Sequence, residues 1–189
     1  MVFLLNPGLE EGRSACFEAL VQKHEIALYR VAWRLCGNRD DAEDLIQDTL
    51  IEALQSFVQF APGTHFDRWL FRIMRNTFID KVRRKQRVQT ESIDTAFQDA
   101  DGISHVRELV DMTSVPDREL LESTLDGPIQ DALNGLPEDY RMVVILADIE
   151  EMSYEEISQI IGCPIGTVRS RLHRGRSLLK DKLKCYVRF

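Results

Sequence analysis

Eight basic side chains against a single acid, Asp181, lie between Ile165 and Arg188, and eight more against Asp80 alone lie between Arg68 and Arg87. Guanidinium groups at helical spacing suit one kind of chemistry. They donate charge-assisted, often bidentate hydrogen bonds to phosphate oxygens and to guanine edges. No nucleophile–base constellation and no glycine-rich phosphate loop accompanies them, so no enzyme activity is expected. The four cysteines, Cys16, Cys36, Cys163 and Cys185, form no C-x-x-C, and no histidine stands at metal-ligand spacing from any of them. They are read as scattered thiols of a reducing compartment, with no metal and no cofactor. The chemistry on offer is non-covalent recognition of a polyanion at two places; two solvated helix faces are the plainer alternative.

The rest of the chain works against indiscriminate binding to phosphates. The 189 residues carry 31 acids and 24 Lys+Arg, a net charge of −7. That charge is concentrated: residues 1–87 sum to +1, residues 88–126 to −8 and residues 127–189 to 0. Two basic windows therefore flank an acidic segment. No apolar run approaches the roughly 20 residues of a membrane span. The opening MVFLLNPGLEEG lacks the basic region and cleavage site of a signal peptide. A cytoplasmic protein is expected, without direct membrane insertion.

The elements that must position these arginines read as helices almost throughout. Phe17, Leu20, Val21, Ile26, Leu28, Val31, Ala32 and Leu35 repeat with helical spread, and Gly37-Asn38 ends that segment. Asp40 or Asp41 starts a second helix, DDAEDLIQDTLIEALQSF, with Ala42, Leu45, Ile46, Thr49, Leu50 and Ala53 on its buried stripe. APGTHF breaks it. Phe66 or Asp67 opens a third helix to Arg87, with Leu70, Ile73, Met74 and Thr77 inward and Arg68, Arg72, Arg75 and Arg83 outward, Asn76 on their flank. Residues 88–126 read as an acidic linker, with a short helical turn near VPDRELLEST. Residues 127–189 divide into about four helices, with starts at Pro137 and Ser153 and a stop at Gly162. The expected fold is all-α: two small helical domains, 1–87 and 127–189, joined by the linker 88–126.

The last basic window sits in a helix-turn-helix. Ser153 and Glu156 form a capping box, Gly162 turns the chain, and Pro164 opens the next helix. Ile165, Val168, Leu172 and Leu179 make its inward stripe. Gly166, Thr167, Ser170, His173 and Arg174 face away, with Arg169 and Arg171 on the two shoulders. Such a second helix enters the major groove by its N-terminal part. Arg169 and Arg174 can then read guanine edges, while Thr167, Ser170, Arg171 and His173 hold phosphates or bases. A structural hairpin with solvated arginines is the bland alternative. The loop Gly63, Thr64, His65, between Phe60 and Phe66, suits an unstacked base, although core aromatics flanking a turn are the commoner arrangement. Asp41, Asp44 and Asp48, with Gln47, put the opposite charge on the second helix. Residue physics alone favours a solvated face there over a protein-docking one.

DDAEDLIQDTL, FDRWLFRIMRNTFIDKVRR and LPEDYRMVVILADIEEMSYEEISQIIGCPIGTVRSRLHRGR resemble the extracytoplasmic-function sigma factors of bacteria, over about residues 15–87 and 127–183. The resemblance implies a sigma factor that binds core RNA polymerase, selects promoter DNA as duplex and as non-template single strand, and helps to melt it. It implies that Asp44, Gln47 and Asp48 dock on the polymerase, which reverses the solvated reading. It places Arg72, Arg75, Asn76 and Arg83 at the minus-ten element, with Gly63, Thr64 and His65 at a flipped base. It places Thr167, Arg169, Ser170, Arg171, His173 and Arg174 at the minus-thirty-five element. An anti-sigma factor is an implied partner. The rival is an autonomous helix-turn-helix regulator on a duplex operator, which needs neither the acidic helix nor the first basic one. KCYVRF continues past the usual end of the family.

Overall fold

A computed structural model describes residues 7–61, 63–91, 127–184 and 186; the expected linker beyond residue 91, its VPDRELLEST turn, and most of KCYVRF lie outside them. The described residues are helical with no strand, as the periodicity predicts. Three helices form the first half: α1 (Pro7–Cys36), α2 (Arg39–Ser56) and α3 (Phe66–Glu91). Four form the second: α4 (Gly127–Asn134), α5 (Glu138–Val144), α6 (Tyr154–Ile161) and α7 (Ile165–Leu183).

Local sequence sets the boundaries. Gly37 takes φ +75° and closes α1. Asn38, rather than Asp40 or Asp41, caps α2: its side chain accepts from the Asp41 N–H at 2.9 Å, leaving the aspartates in the first turn beside the positive end of the helix dipole. The stripe expected on α2 is buried as a set. After Pro137 starts α5, the helix widens into a π turn over Ile145–Ile149, where the Glu150 N–H reaches back to the Ile145 carbonyl at 3.1 Å. Glu151 then takes the left-handed region (φ +53°) and turns the chain toward α6. α3 runs to Glu91, four residues into the segment read as linker.

Helix α3 is buried more broadly than its single predicted stripe. Leu70, Ile73 and Met74 are inside as expected, but so are Phe66, Phe71 and Phe78. Ile26, counted with the apolar spread of α1, is exposed. The buried side chains of the two halves form one continuous cluster, from Phe17 and Leu45 through Met74 to Leu146 and Leu172. The halves dock along a seam: α1 meets α4 and the π turn, and α3 meets α6.

Candidate nucleic-acid and protein-docking surfaces

The helix-turn-helix forms from local chemistry. Ser153 Oγ accepts from the Glu156 N–H at 3.3 Å, and Glu156 Oε2 accepts from the Ser153 N–H at 2.7 Å, completing the capping box. The Ser153 hydrogen bonds hold the Glu156 carboxyl below its ordinary pKa. Gly162 takes φ +68°, and Pro164 caps α7. Ser158 Oγ donates to the Cys163 carbonyl at 2.6 Å and braces the turn, with Cys163 packed against the core. Val168 and Leu172 are buried, and Ile165 and Leu179 are half-buried. Gly175, on the same inward side, is the tightest point of the helix: a Cβ there would meet Val144 Cγ2 at 2.8 Å.

This anchoring turns the other face of α7 outward. Gly166, Arg169, Ser170, His173 and Arg174 are exposed, and Thr167 is half-buried. The Arg169 guanidinium lies 5.9 Å from the Tyr154 ring centroid, on the shoulder where the helical wheel put it. Arg171 differs. Its Nη2 donates to Asp139 Oδ2 at 2.8 Å, and only 23% of its side chain is exposed. Five of the six residues expected at a duplex are thus presented together, and the sixth is held by a carboxylate of α5.

The basic face of α3 is split in the same way. Arg72, Asn76 and Arg83 are exposed. Arg75 donates to Asn76 Oδ1 at 3.1 Å, and its Nη2 lies 3.8 Å from Asp139 Oδ1. Arg68, expected to face outward with them, instead pairs with Glu156 across the seam. Wheel geometry separates the inward stripe from the rest of a helix, but it cannot tell solvent from a second packed body.

The loop before α3 carries Gly63 at φ +88°, and Thr64 donates to the Ala61 carbonyl from Oγ1 at 2.7 Å. Gly63, Thr64 and His65 are exposed. Phe60 and Phe66, on either side, meet edge to face at 5.3 Å within a cluster that includes Phe17, Phe57 and Trp69. The aromatics are therefore structural, as the commoner arrangement has it. Beside them a cavity of about 620 Å³ opens between Phe57, Phe60 and Thr64 on one wall and Arg13, Cys16 and Leu20 of α1 on the other. α1 as a wall of this space has no sequence signal, since it lies some fifty residues away from the loop.

On α2, Asp44, Gln47 and Asp48 are exposed together. Asp48 meets Lys81 at 2.7 Å, and Asp41 accepts from Lys85 at 2.9 and 3.1 Å, so α3 neutralises one edge of the acidic face. Hydrogen bonds from Asn38, then from Lys85, lower the Asp41 pKa. Asp44 faces outward without an ion-pair partner among the described residues. Among the described residues no group of histidine, cysteine and acidic side chains could hold a metal ion, and no helix is long and apolar enough to cross a membrane.

An all-helical chain with an outward-facing helix-turn-helix and a second, separate basic helix belongs to the class of DNA-reading proteins. Comparison with known proteins narrows the class. Residues 20–88 match the family described as "Sigma-70 region 2", and residues 126–179 the family "Sigma-70, region 4". The ECF RNA polymerase sigma factor SigW of Bacillus subtilis is 31% identical over 93% of this chain and 93% of its own length. The ECF RNA polymerase sigma factor SigE of Mycolicibacterium smegmatis is 42% identical over 88% of this chain, which spans 61% of that relative. Among solved structures, the sigma factor RpoE in complex with the anti-sigma factor NepR, from Bartonella quintana, superposes with a TM-score of 0.65 at 31% identity, covering 89% of this chain and 96% of that one. The chain belongs to the extracytoplasmic-function sigma factors.

Proposed function

We propose that the chain serves as a promoter-specificity subunit of RNA polymerase in the cytoplasm, contributing recognition and strand opening while the polymerase supplies the catalysis. α2 docks on core polymerase through Asp44, Gln47 and Asp48. α3 reads the minus-ten element through Arg72, Arg75, Asn76 and Arg83, with an unstacked base received beside Gly63, Thr64 and His65. α7 reads the minus-thirty-five element through Thr167, Arg169, Ser170, Arg171, His173 and Arg174. The working units are taken as residues 1–87 and 127–189, linked by 88–126. Family membership supports the overall role, and the outward placement of most of these side chains supports the assignments.

The observation that carries this reading is the pair of opposite faces on one chain. An exposed acidic face on α2 repels DNA, so it has no use in a protein that needs only a duplex operator, but it suits docking on a second protein. The NepR complex supports an anti-sigma factor as a further partner. The test is promoter binding with and without core polymerase. Binding that requires polymerase, and is lost with Asp44→Lys, supports the reading. Equally tight binding by the chain alone would favour the autonomous regulator.

A further inference from the structure

Arg75 and Arg171, one from each DNA-reading surface, converge on a single carboxylate. Asp139 Oδ2 accepts from Arg171 Nη2 at 2.8 Å, and Asp139 Oδ1 lies 3.8 Å from Arg75 Nη2. All three side chains are only partly exposed, at 23%, 24% and 44% for Arg171, Arg75 and Asp139. They line the mouth of a polar cleft of about 540 Å³, with Arg83 and Tyr140 beside them. Two guanidiniums sharing one anion is the arrangement that a DNA phosphate would otherwise impose.

The surrounding seam is built to hold this arrangement. Arg30 grips Glu150 with two hydrogen bonds of 2.6 Å, and the Glu150 side chain is 5% exposed. Gln130 is buried; it accepts from Arg34 Nη1 at 3.1 Å and donates to the Arg34 carbonyl at 3.2 Å. Arg141 Nη1 donates to the Leu35 carbonyl at 2.6 Å, and its guanidinium lies 5.9 Å from the Phe78 ring centroid. Burial lowers the pKa of both Arg34 and Arg141.

Geometry makes the docked state incompatible with a whole promoter. Elements centred near minus ten and minus thirty-five are about 25 base pairs apart, or roughly 85 Å at about 3.4 Å per pair. α3 and α7, with 26 and 19 residues, are only about 39 and 29 Å long, and here their arginines share one carboxylate. The seam must open before both surfaces can be used.

We propose that Asp139 is an internal phosphate mimic that latches the two DNA-reading halves in a closed, promoter-incompetent state. This rests on the sigma-factor reading above and adds a competition to it: promoter phosphates and Asp139 contend for Arg75 and Arg171. A chain whose binding-competent state is only fractionally populated binds with an affinity reduced by that fraction. Loosening the Asp139 pairs, whose carboxylate is 44% exposed, therefore tightens DNA binding by roughly two- to fivefold, and loosening the more buried Arg30–Glu150 pair by at least as much.

The test uses the full chain without polymerase. Small-angle X-ray scattering reports the separation of the halves. Fluorescence anisotropy reports affinity for a labelled random-sequence duplex at fixed low salt. Three proteins are compared: the parent chain, Asp139→Asn, and Glu150→Gln, which loosens the seam without touching either DNA surface. Melting curves check folding, and Arg30→Gln replaces Glu150→Gln if the latter does not fold. The latch predicts a larger radius of gyration in both variants, with roughly two- to fivefold tightening for Asp139→Asn and at least as much for Glu150→Gln. Both substitutions also remove one negative charge, so tightening without a larger radius of gyration, or tightening confined to Asp139→Asn, would mean only that a repelling charge was removed, and would overturn the latch. So would an unchanged radius of gyration, or an unchanged affinity, in both. Because the duplex is random and polymerase is absent, failure of the sigma-factor reading would appear separately, as absence of promoter-dependent transcription.

Discussion

Glycine-to-alanine substitution at Gly175 and at Gly166, two positions in the same helix, should have opposite effects on stability. In a helix interior alanine is favoured over glycine by about 0.8–1 kcal/mol. At Gly166 an added Cβ meets nothing within 4 Å, so the gain is kept, up to about 1 kcal/mol in the first turn. At Gly175 it would stand 2.8 Å from Val144 Cγ2 and 3.4 Å from Tyr140 Cβ. Val144 is fully buried and β-branched, so its methyl cannot swing away. Overpacking of this kind costs about 1–3 kcal/mol. Set against the helix gain, Gly175→Ala comes out destabilised by about 0–2 kcal/mol, and the two variants differ by roughly 1–3 kcal/mol. For a chain of this size that separates their melting temperatures by roughly 2–12 °C, well within reach of a circular-dichroism melt. Gly166 also lies on the outward side of α7, so, on the duplex contact proposed for that face, its stabilised variant should bind promoter duplex less well. If Gly175→Ala melts as high as Gly166→Ala, α7 is not seated on Tyr140 and Val144, and the outward register of its arginines loses its basis.

Asn76→Ala removes an exposed amide and should slow open-complex formation, followed by permanganate footprinting, while leaving polymerase binding intact; equal loss of both would assign Asn76 to folding or docking. Arg174→Ala should weaken recognition of the upstream element by about 1–3 kcal/mol if it makes a bidentate base contact, with folding unchanged; unaltered promoter preference in a competition assay would remove it from the reading face. The Cys36 thiol is pushed up to about 12, by burial first and by the Asp41 charge second. Since the thiolate is the reactive form and is populated only as pH approaches that value, Cys36 should resist alkylation at pH 8 while the exposed Cys16 reacts. Mass spectrometry showing both modified at the same rate in the folded chain would contradict the burial of α1 against its neighbours.

What could be read from sequence was what neighbouring residues decide. Ser153, Glu156, Gly162 and Pro164 specify cap, turn and helix start within twelve positions, so the helix-turn-helix was legible down to its inward stripe. The acidic run on α2 was legible as a face, although its meaning came only through family resemblance. The seam was not legible. Arg68 and Arg75 sit on a side that a wheel marks as outward and Arg171 on a shoulder, and their partners Glu156 and Asp139 lie 32 to 88 positions away. Asp139 reads locally as an acid in the first turn of α5, where the helix dipole already explains it. Phe71 and Phe78 escaped the expected core for the same reason: α3 is buried against both halves, which widens its apolar arc beyond one stripe. Glu156 shows how local and distant roles overlap, since one carboxylate both completes the cap of α6 and pairs with Arg68.

The most direct measurement of the central claim is run-off transcription from a promoter library with purified core polymerase, comparing the parent chain with Asp44→Lys. Discrete, promoter-dependent transcripts are expected with the parent chain, sharply reduced with Asp44→Lys while the helical content of that variant is unchanged. No promoter-dependent transcript from an active core preparation, or transcripts indifferent to Asp44→Lys, would contradict that claim.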